Sequence, residues 1–228
     1  MQLKIVIDSS HLETQCLFMS NNYYQKSLQI LNKIKKTPEI KPKLLFQVCC
    51  GPCSLYPLEM LCDIFEITVL YNNSNLFPAS EFDIRLEELT KIVDDLNKRK
   101  GKKIEIVIFE YNHEDYMKDL TPFAEQKEGG ERCHICYKKR MVEAMEYADK
   151  NDFDYFTTSL TSSRQKSAFI INKIGEEIAK NAAKVKYFYS DFKKKAWAEI
   201  GYATAREKGY YLQEYCGCEY SLNSQENN

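Results

Sequence analysis

Seven of the nine cysteines in this 228-residue chain fall into three short groups. The groups are Cys49, Cys50 and Cys53 in VCCGPC, Cys133 and Cys136 in ERCHICYKKR, and Cys216 and Cys218 in YCGC. Cysteine sulfur binds zinc and iron–sulfur clusters, and it carries out thiol–disulfide exchange. The clustering therefore indicates metal binding or redox chemistry.

Three kinds of thiol chemistry compete at this point. A structural zinc ion takes four ligands, so two separated pairs would suffice for it, and seven thiols exceed one such site. A thiol exchanger needs a single CxxC motif and leaves five cysteines unexplained. An iron–sulfur cluster takes up to four cysteines, and a second metal beside it would use the surplus. The remaining cysteines, Cys16 and Cys62, are interpreted as small buried hydrophobic residues.

The first two groups lie where secondary structure can present them. The run ending at Val48 is a candidate buried strand, and Gly51 and Pro52 suit a turn into a helix. In a parallel sheet, ligands collect at the carboxyl ends of the strands. Cys133 and Cys136 are spaced by three at a helix start, so their sulfurs share one face. We therefore expect the three groups to face one crevice.

Short apolar runs alternate with amphipathic helices from residue 43 onward. The strands are predicted near residues 44–48, 64–71, 104–109, 155–158 and 185–189. The clearest helix carries Phe82, Leu86, Leu89, Val93 and Leu96 on one stripe. This alternation predicts an α/β fold, a parallel sheet with helices on both faces.

The chain length, the positions of the prolines and the composition of the ends predict one domain with an added segment at each end. Residues 1–40 form an N-terminal extension with a helix-like stretch near 23–34, closed by Pro38 and Pro42. Residues 41–220 form the α/β metal-binding catalytic domain. Residues 221–228 contain one Leu among polar residues, so we expect a disordered tail.

Composition excludes several classes of protein. With 44% hydrophobic and 29% charged residues, the chain is neither disordered, collagenous nor of low complexity. The opening MQLKIVID is too short an apolar run for a signal peptide, and no stretch approaches the ~18–20 apolar residues of a membrane span. We therefore expect a cytoplasmic protein that does not bind a membrane.

The net charge of −1 means that a nucleic-acid partner must meet a local patch. Residues 164–208 hold 11 Lys and Arg against 5 Asp and Glu. Lys193, Lys194 and Lys195 lie among aromatic residues, as in proteins that bind single-stranded RNA. Arg164 follows a Ser/Thr-rich segment that favours either an anion or ordinary helix capping. A charge run is also often a solvated helix face.

The segments VCCGPCSLYPLEML, ERCHICYKKRM, TTSLTSSRQKS, SDFKKK and YCGCEYS, in this order, resemble the QueH family of cobalamin-independent epoxyqueuosine reductases. The resemblance covers about residues 43–221. It implies a fold similar to the adenine nucleotide alpha-hydrolase-like (HUP) group, a 4Fe–4S cluster and an adjacent mononuclear iron. It also implies an oxidoreductase that removes the epoxide oxygen from epoxyqueuosine at the tRNA wobble position, using an unidentified electron donor. This step is the last in queuosine biosynthesis.

The resemblance also assigns site residues. Cys49, Cys50, Cys133, Cys136, Cys216 and Cys218 match cofactor-binding positions, and Cys53 matches a position where relatives carry Cys or Asp; all seven are expected metal ligands. Cys49, Cys53, Cys216 and Cys218 are expected to be catalytic. The resemblance leaves open which sulfurs hold the cluster and which the second metal; we prefer Cys50, Cys133 and Cys136 for the cluster. Arg164, Lys193, Lys194 and Lys195 are expected to contact tRNA. The alternative is a zinc-stabilised RNA-binding α/β protein without redox activity.

Overall fold

The computed structural model describes residues 23–37 and 39–226. Residues 1–22 of the predicted extension, including Cys16, lie outside the described residues. Among those described, no helix combines the length and apolar character that a bilayer crossing requires. The helices are α1 (23–35), α2 (Gly51–Leu61), α3 (Ala79–Lys100), α4 (His113–Met117), α5 (Glu131–Lys150), α6 (Ala168–Ile178), α7 (Trp197–Glu207) and α8 (Glu219–Glu226).

The sheet has five parallel strands. They are β1 (Lys43–Gln47), β2 (Glu66–Tyr71), β3 (Glu105–Ile108), β4 (Tyr155–Thr158) and β5 (Lys186–Tyr187). Their order across the sheet is β3-β2-β1-β4-β5, so β1 is central. Residue 44 of β1 pairs with Ile67 of β2 on one side and with Tyr155 of β4 on the other. Each strand lies within its predicted segment or one residue from it.

Helices cover both faces of the sheet, which confirms the predicted fold class. Leu44 and Phe46 belong to one core cluster, with residues of α2 and α3. Leu45, between them, belongs to the other cluster, with residues of α5 and α6. Successive residues of a strand point to opposite faces, so one apolar run supplies both cores.

The helical part of the predicted extension packs on the α/β unit. Leu31 of α1 is buried in the first core cluster. The Tyr23 hydroxyl donates to Glu176 Oε2 at 3.0 Å, and the ring of Tyr23 stacks on Tyr189. Lys26 forms an ion pair with the same carboxylate at 2.8 Å. Packing and polar contacts therefore attach α1 to α6 and its surroundings.

The structure differs from the expected tail. Residues from Ser221 were predicted to be disordered, but α8 extends to Glu226. The N–H groups of Ser221 and Leu222 both donate to the Cys218 carbonyl at 3.1 Å, and Arg132 lies 4.1 Å from the centre of the Tyr220 ring. These anchors join the polar segment to the cysteine loop, which composition did not indicate. Residues 227 and 228 lie outside the described residues.

Gly175→Ala tests the packing of α6 on β5. A Cβ at residue 175 would lie 2.4–2.6 Å from the ring of Tyr187, a buried side chain. We expect the free energy of unfolding to fall by about 1–2 kcal/mol, because overpacking costs more than the ~1 kcal/mol by which helices favour Ala. Denaturant unfolding measures the change. Glu177→Ala, on the exposed side of α6, is the matched control, and equal stability of the two variants would contradict this packing.

Candidate metal centre

The first cysteine group lies at the carboxyl ends of the central strand β1 and its neighbour β4. β1 ends at Gln47 and β4 at Thr158, and their following segments meet. The Cys49 N–H donates to Ser159 Oγ at 3.0 Å, and that hydroxyl lies 3.3 Å from Cys49 Sγ. Ligand sites of open parallel sheets form here, where the chain leaves neighbouring strands in opposite directions.

Cys49, Cys50 and Cys53 form a thiol triad whose sulfurs all lie within 4.8 Å of one another. Cys50 is the N-cap of α2, and Cys53 lies in its first turn. The Ser162 hydroxyl donates to the Cys53 carbonyl at 2.7 Å and ties α2 to the segment after β4. Three thiols at a helix N-terminus suit a thiolate-binding metal, because the helix dipole favours negative charge.

The three thiols of the triad have different pKa values because they lie so close together. Hydrogen bonds from Cys50 and Cys53 lower the pKa of Cys49 well below its usual range. Burial and the neighbouring Cys49 raise the pKa of Cys50, and the hydrogen bond with Cys49 raises the pKa of Cys53 to about 12. One thiolate, at Cys49, is therefore stabilised by two thiols.

The second cysteine group opens α5, as its spacing predicted. The Gly129 N–H donates to Cys133 Sγ at 3.3 Å. The Tyr116 hydroxyl contacts both the carbonyl of Cys136 at 2.9 Å and its sulfur at 3.4 Å. One turn further along α5, Arg140 Nη2 lies 3.5 Å from Cys136 Sγ. Each sulfur thus has a hydrogen-bond donor beside it.

The third group is held by the buried Arg85 of α3. Its guanidinium donates to the carbonyls of Tyr215 and Cys216, both at 3.2 Å, and forms an ion pair with Glu81 at 2.7 Å. Gly217 has φ +112°, and a Cβ there would lie 2.3 Å from Leu76 and 2.8 Å from Arg85. The glycine of YCGC therefore permits both the backbone angle and the close approach.

The second and third cysteine groups are neighbours, since Tyr220 packs against the apolar cluster that contains Cys136. The negative charges of Cys216 and Cys136 add to burial in raising the pKa of Cys133. Burial and Cys216 raise the pKa of Cys218 to about 11. The ERCHIC and YCGC cysteines therefore lie on the same side of the molecule, which is the condition on which a joint metal site depends.

Two buried cations lie among these sulfurs. Lys166 is 9% exposed, and its Nζ lies 3.3 Å from Cys216 Sγ. Burial opposes its charge, but Cys216, Tyr137 and Cys49 raise its pKa above the usual value. Arg140 behaves in the same way, since Cys136 and other acidic groups outweigh its burial. Both side chains therefore remain charged and offset the negative charge of nearby thiolates.

A cavity of about 460 Å³ opens beside the sulfurs. Cys49, Cys53 and Cys216 line it, so sulfurs from the first and third groups face the same space. It is also lined by Arg85, Arg140, Arg164, Lys166 and Arg206, against two carboxylates, Glu199 and Glu214. Five cations and reactive sulfurs around one cavity suit an anionic or electron-accepting substrate.

Cys50 lies in the thiol triad, with its sulfur 3.8 Å from Cys49 Sγ. Its expected place on the cluster with Cys133 and Cys136 stays a prediction. Consecutive residues at one helix N-terminus remain neighbours, whereas α5 starts from another part of the fold. The spacing of cysteines along the chain could not show which sulfurs lie closest to Cys50 in space.

The expected tRNA contacts separate into two kinds. Arg164 is exposed and lines the cavity, and Lys195 is exposed with φ +54°. Lys193, which was also expected to contact tRNA, makes contacts inside the protein. Its ammonium donates to the carbonyls of Thr161 and Lys166 at 3.1 and 3.0 Å. Burial lowers the pKa of Lys193. Its contacts give it a structural role, whereas Lys194 is half-buried beside it.

Sequence reasoning missed Arg85, Lys166 and Gln213. Arg85 belongs to the predicted helix that carries the apolar stripe, where a charged residue gives no signal of function. Gln213 lies in a loop without a recognisable motif. Lys166 stands two residues after Arg164, in a segment that had been considered only for anion binding or capping. Arg140 carried a usable signal, because its spacing of four from Cys136 places both on one helix face.

Comparison with known proteins gives consistent matches. The family described as "Epoxyqueuosine reductase QueH" matches residues 44–224. A protein of that name from Streptococcus pyogenes serotype M1 is 33% identical over 202 residues, covering 89% of this chain and 79% of its own. Its namesake from Staphylococcus epidermidis is 32% identical over 206 residues, covering 90% and 86%. The one from Haemophilus influenzae is 33% identical over 188 residues, covering 81% and 74%.

Alkylation of the reduced, metal-free protein tests the thiol environment. We expect iodoacetamide to modify Cys49 at a rate nearly independent of pH around neutrality, because its lowered pKa leaves it deprotonated there. The rate at Cys218 should rise about tenfold per pH unit, because its pKa is raised. Peptide mass spectrometry measures both, with the buried Cys62 as control. A Cys49 rate that climbs as steeply as that of Cys218 would contradict the assignment.

Proposed function

The chain belongs to the QueH family of epoxyqueuosine reductases and is an oxidoreductase, and on this premise we propose that it reduces epoxyqueuosine to queuosine in tRNA with an iron–sulfur cofactor. The observation that carries the proposal is the thiol triad, three sulfurs within 4.8 Å beside a 460 Å³ cavity. Cys216 lines the same cavity, and the negative charges of Cys49 and Cys216 both raise the pKa of Lys166 and of Arg140. The seven clustered cysteines of the sequence exceed what one structural zinc ion uses.

The donor set fits iron. Cys49, Cys50 and Cys53 would hold one centre, and Cys133, Cys136, Cys216 and Cys218 would supply ligands to the other. A 4Fe–4S cluster with an adjacent mononuclear iron, when bound, supplies electrons and a Lewis acid. Ser159, Lys166 and Arg140 place hydrogen-bond donors beside the sulfurs. Such donors orient ligands and adjust the electronic properties of a metal site.

The reaction consumes two electrons and two protons. Both carbon–oxygen bonds of the epoxide break, a carbon–carbon double bond forms, and the oxygen leaves as water. Negative charge develops on the departing oxygen, so a fixed positive charge nearby lowers the barrier. Lys166 and Arg140 line the cavity and retain their protons. They would stabilise this charge without being the proton source.

The tRNA would meet the protein at the cavity mouth. The wobble base must leave its stack to reach the sulfurs, as in other enzymes that modify bases. Arg164 and Arg206 line this cavity and suit the flanking phosphates. Arg164 is paired with Glu199 at 3.3 Å, but both side chains are exposed, so a phosphate can replace the carboxylate. Lys194 and Lys195 would extend the positive surface.

Anaerobic incubation with a low-potential reductant and tRNA carrying epoxyqueuosine tests the function. We expect nucleoside mass analysis to show the loss of one oxygen atom. Cys50→Ser should lose at least about tenfold in activity and bind less iron and sulfide, because it removes a triad ligand. Cys62→Ser is the matched control, since Cys62 is a buried cysteine in the apolar core and should leave both unchanged. Colourless protein with one zinc ion and no turnover would favour the zinc-stabilised RNA-binding alternative.

Salt-dependent binding tests the tRNA surface. Arg164→Ala and Lys195→Ala should each weaken tRNA binding and reduce the slope of log K against log salt by about 1, because each removes a phosphate contact. Their iron content should stay unchanged. Lys98→Ala, on the exposed side of α3, serves as the control. Unchanged slopes in both test variants would place the RNA elsewhere.

A further inference from the structure

Gln213 joins the thiol triad to the cavity. Its Nε2 donates to Cys50 Sγ at 2.9 Å and lies 3.7 Å from Cys53 Sγ. The same side chain lines the 460 Å³ cavity.

The other end of this carboxamide is unsatisfied. Gln213 Oε1 is buried and has no hydrogen-bond partner among the described residues. Native proteins satisfy almost all buried acceptors, since an unmade hydrogen bond is costly in a low-dielectric interior. Gln213 itself lines the cavity, so an unsatisfied acceptor on this side chain indicates that a ligand in the cavity supplies the donor.

The chemistry of the sulfurs fixes the orientation of the amide. A cysteine that ligates metal has lost its proton, so it can only accept a hydrogen bond. The N–H end of Gln213 must therefore face Cys50 in the loaded protein. The carbonyl end is then left for the contents of the cavity.

We propose that Gln213 is a substrate-positioning residue, an inference that rests on the proposed function. Its Oε1 accepts a hydrogen bond from a ring hydroxyl of epoxyqueuosine, while its Nε2 holds the sulfur of Cys50. The epoxide oxygen carries no proton and cannot satisfy this acceptor, whereas the hydroxyl groups of the same five-membered ring can. One side chain thereby sets the distance between the reacting ring and the metal ligand.

The two ends of the carboxamide have separable effects. A hydrogen bond to a ligating sulfur stabilises the more negative, reduced state of an iron–sulfur cluster and raises its reduction potential. A hydrogen bond to the ring hydroxyl strengthens binding only of tRNA that carries the modified base. The first effect needs no substrate, and the second needs no electron transfer.

Gln213→Leu removes both ends. In binding measurements without reductant, wild-type protein should prefer tRNA with epoxyqueuosine over the same tRNA with guanine at the wobble position. The variant should lose about tenfold of that preference, the value of one hydrogen bond to a buried acceptor, while its affinity for the guanine tRNA stays the same. Its reduction potential, measured by redox titration at full iron content, should fall. An unchanged preference or an unchanged potential overturns the proposal.

Gln213→Glu separates the two ends and covers the case in which the leucine variant loads poorly with iron. Ionised glutamate keeps an acceptor, has no donor and adds negative charge, so at a pH high enough to ionise it the potential should fall while the preference remains. A lost preference would overturn the acceptor role. Gln25→Leu makes the same chemical change on the exposed side of α1 and should alter neither quantity. Failure of the proposed function has a different signature, because the wild-type protein itself would then show no preference.

Discussion

Holding clustered thiols close together, beside a cavity that Cys49, Cys53 and Cys216 line, is the constraint on which the rest of this structure depends. Neighbouring thiolates repel one another and are poorly solvated when buried, so each must be offset locally. Lys166 and Arg140 supply fixed positive charge, and Ser159 and Gln213 supply hydrogen bonds to sulfur. Arg140 and Lys166 are buried charged residues beside these sulfurs, and they offset thiolate charge there.

The same constraint explains how the loops are held. The turn after β1 is fixed by the Ser159 hydroxyl, and the first turn of α2 by the Ser162 hydroxyl. The YCGC loop is fixed by the Arg85 guanidinium and by the close approach that Gly217 allows. Rigid positioning matters because a metal site tolerates little error in where its ligands lie. Side chains that look like simple structural polar residues therefore contribute to function by holding cysteine backbones.

The fold was predictable because local patterns and global packing agree. Leu44, Leu45 and Phe46 serve two cores in alternation, and a continuous apolar run is the pattern expected of a central parallel strand. Prediction was weaker where neighbours distant along the chain decide the outcome. Lys193 was expected to contact tRNA, but its ammonium donates to the carbonyls of Thr161 and Lys166. The segment of α8 was expected to be disordered, but Arg132 lies 4.1 Å from the centre of the Tyr220 ring.

The sequence by itself determined the thiol groups and the local elements, because cysteine spacing and helix or strand periodicity are properties of short segments. It also carried the family resemblance. Only the tertiary structure decided which sulfurs are neighbours and which cations accompany them. The sheet order β3-β2-β1-β4-β5 brings the ends of β1 and β4 together although more than 100 residues separate them. Distances of that kind arise from the packing of the whole chain, which no local pattern encodes.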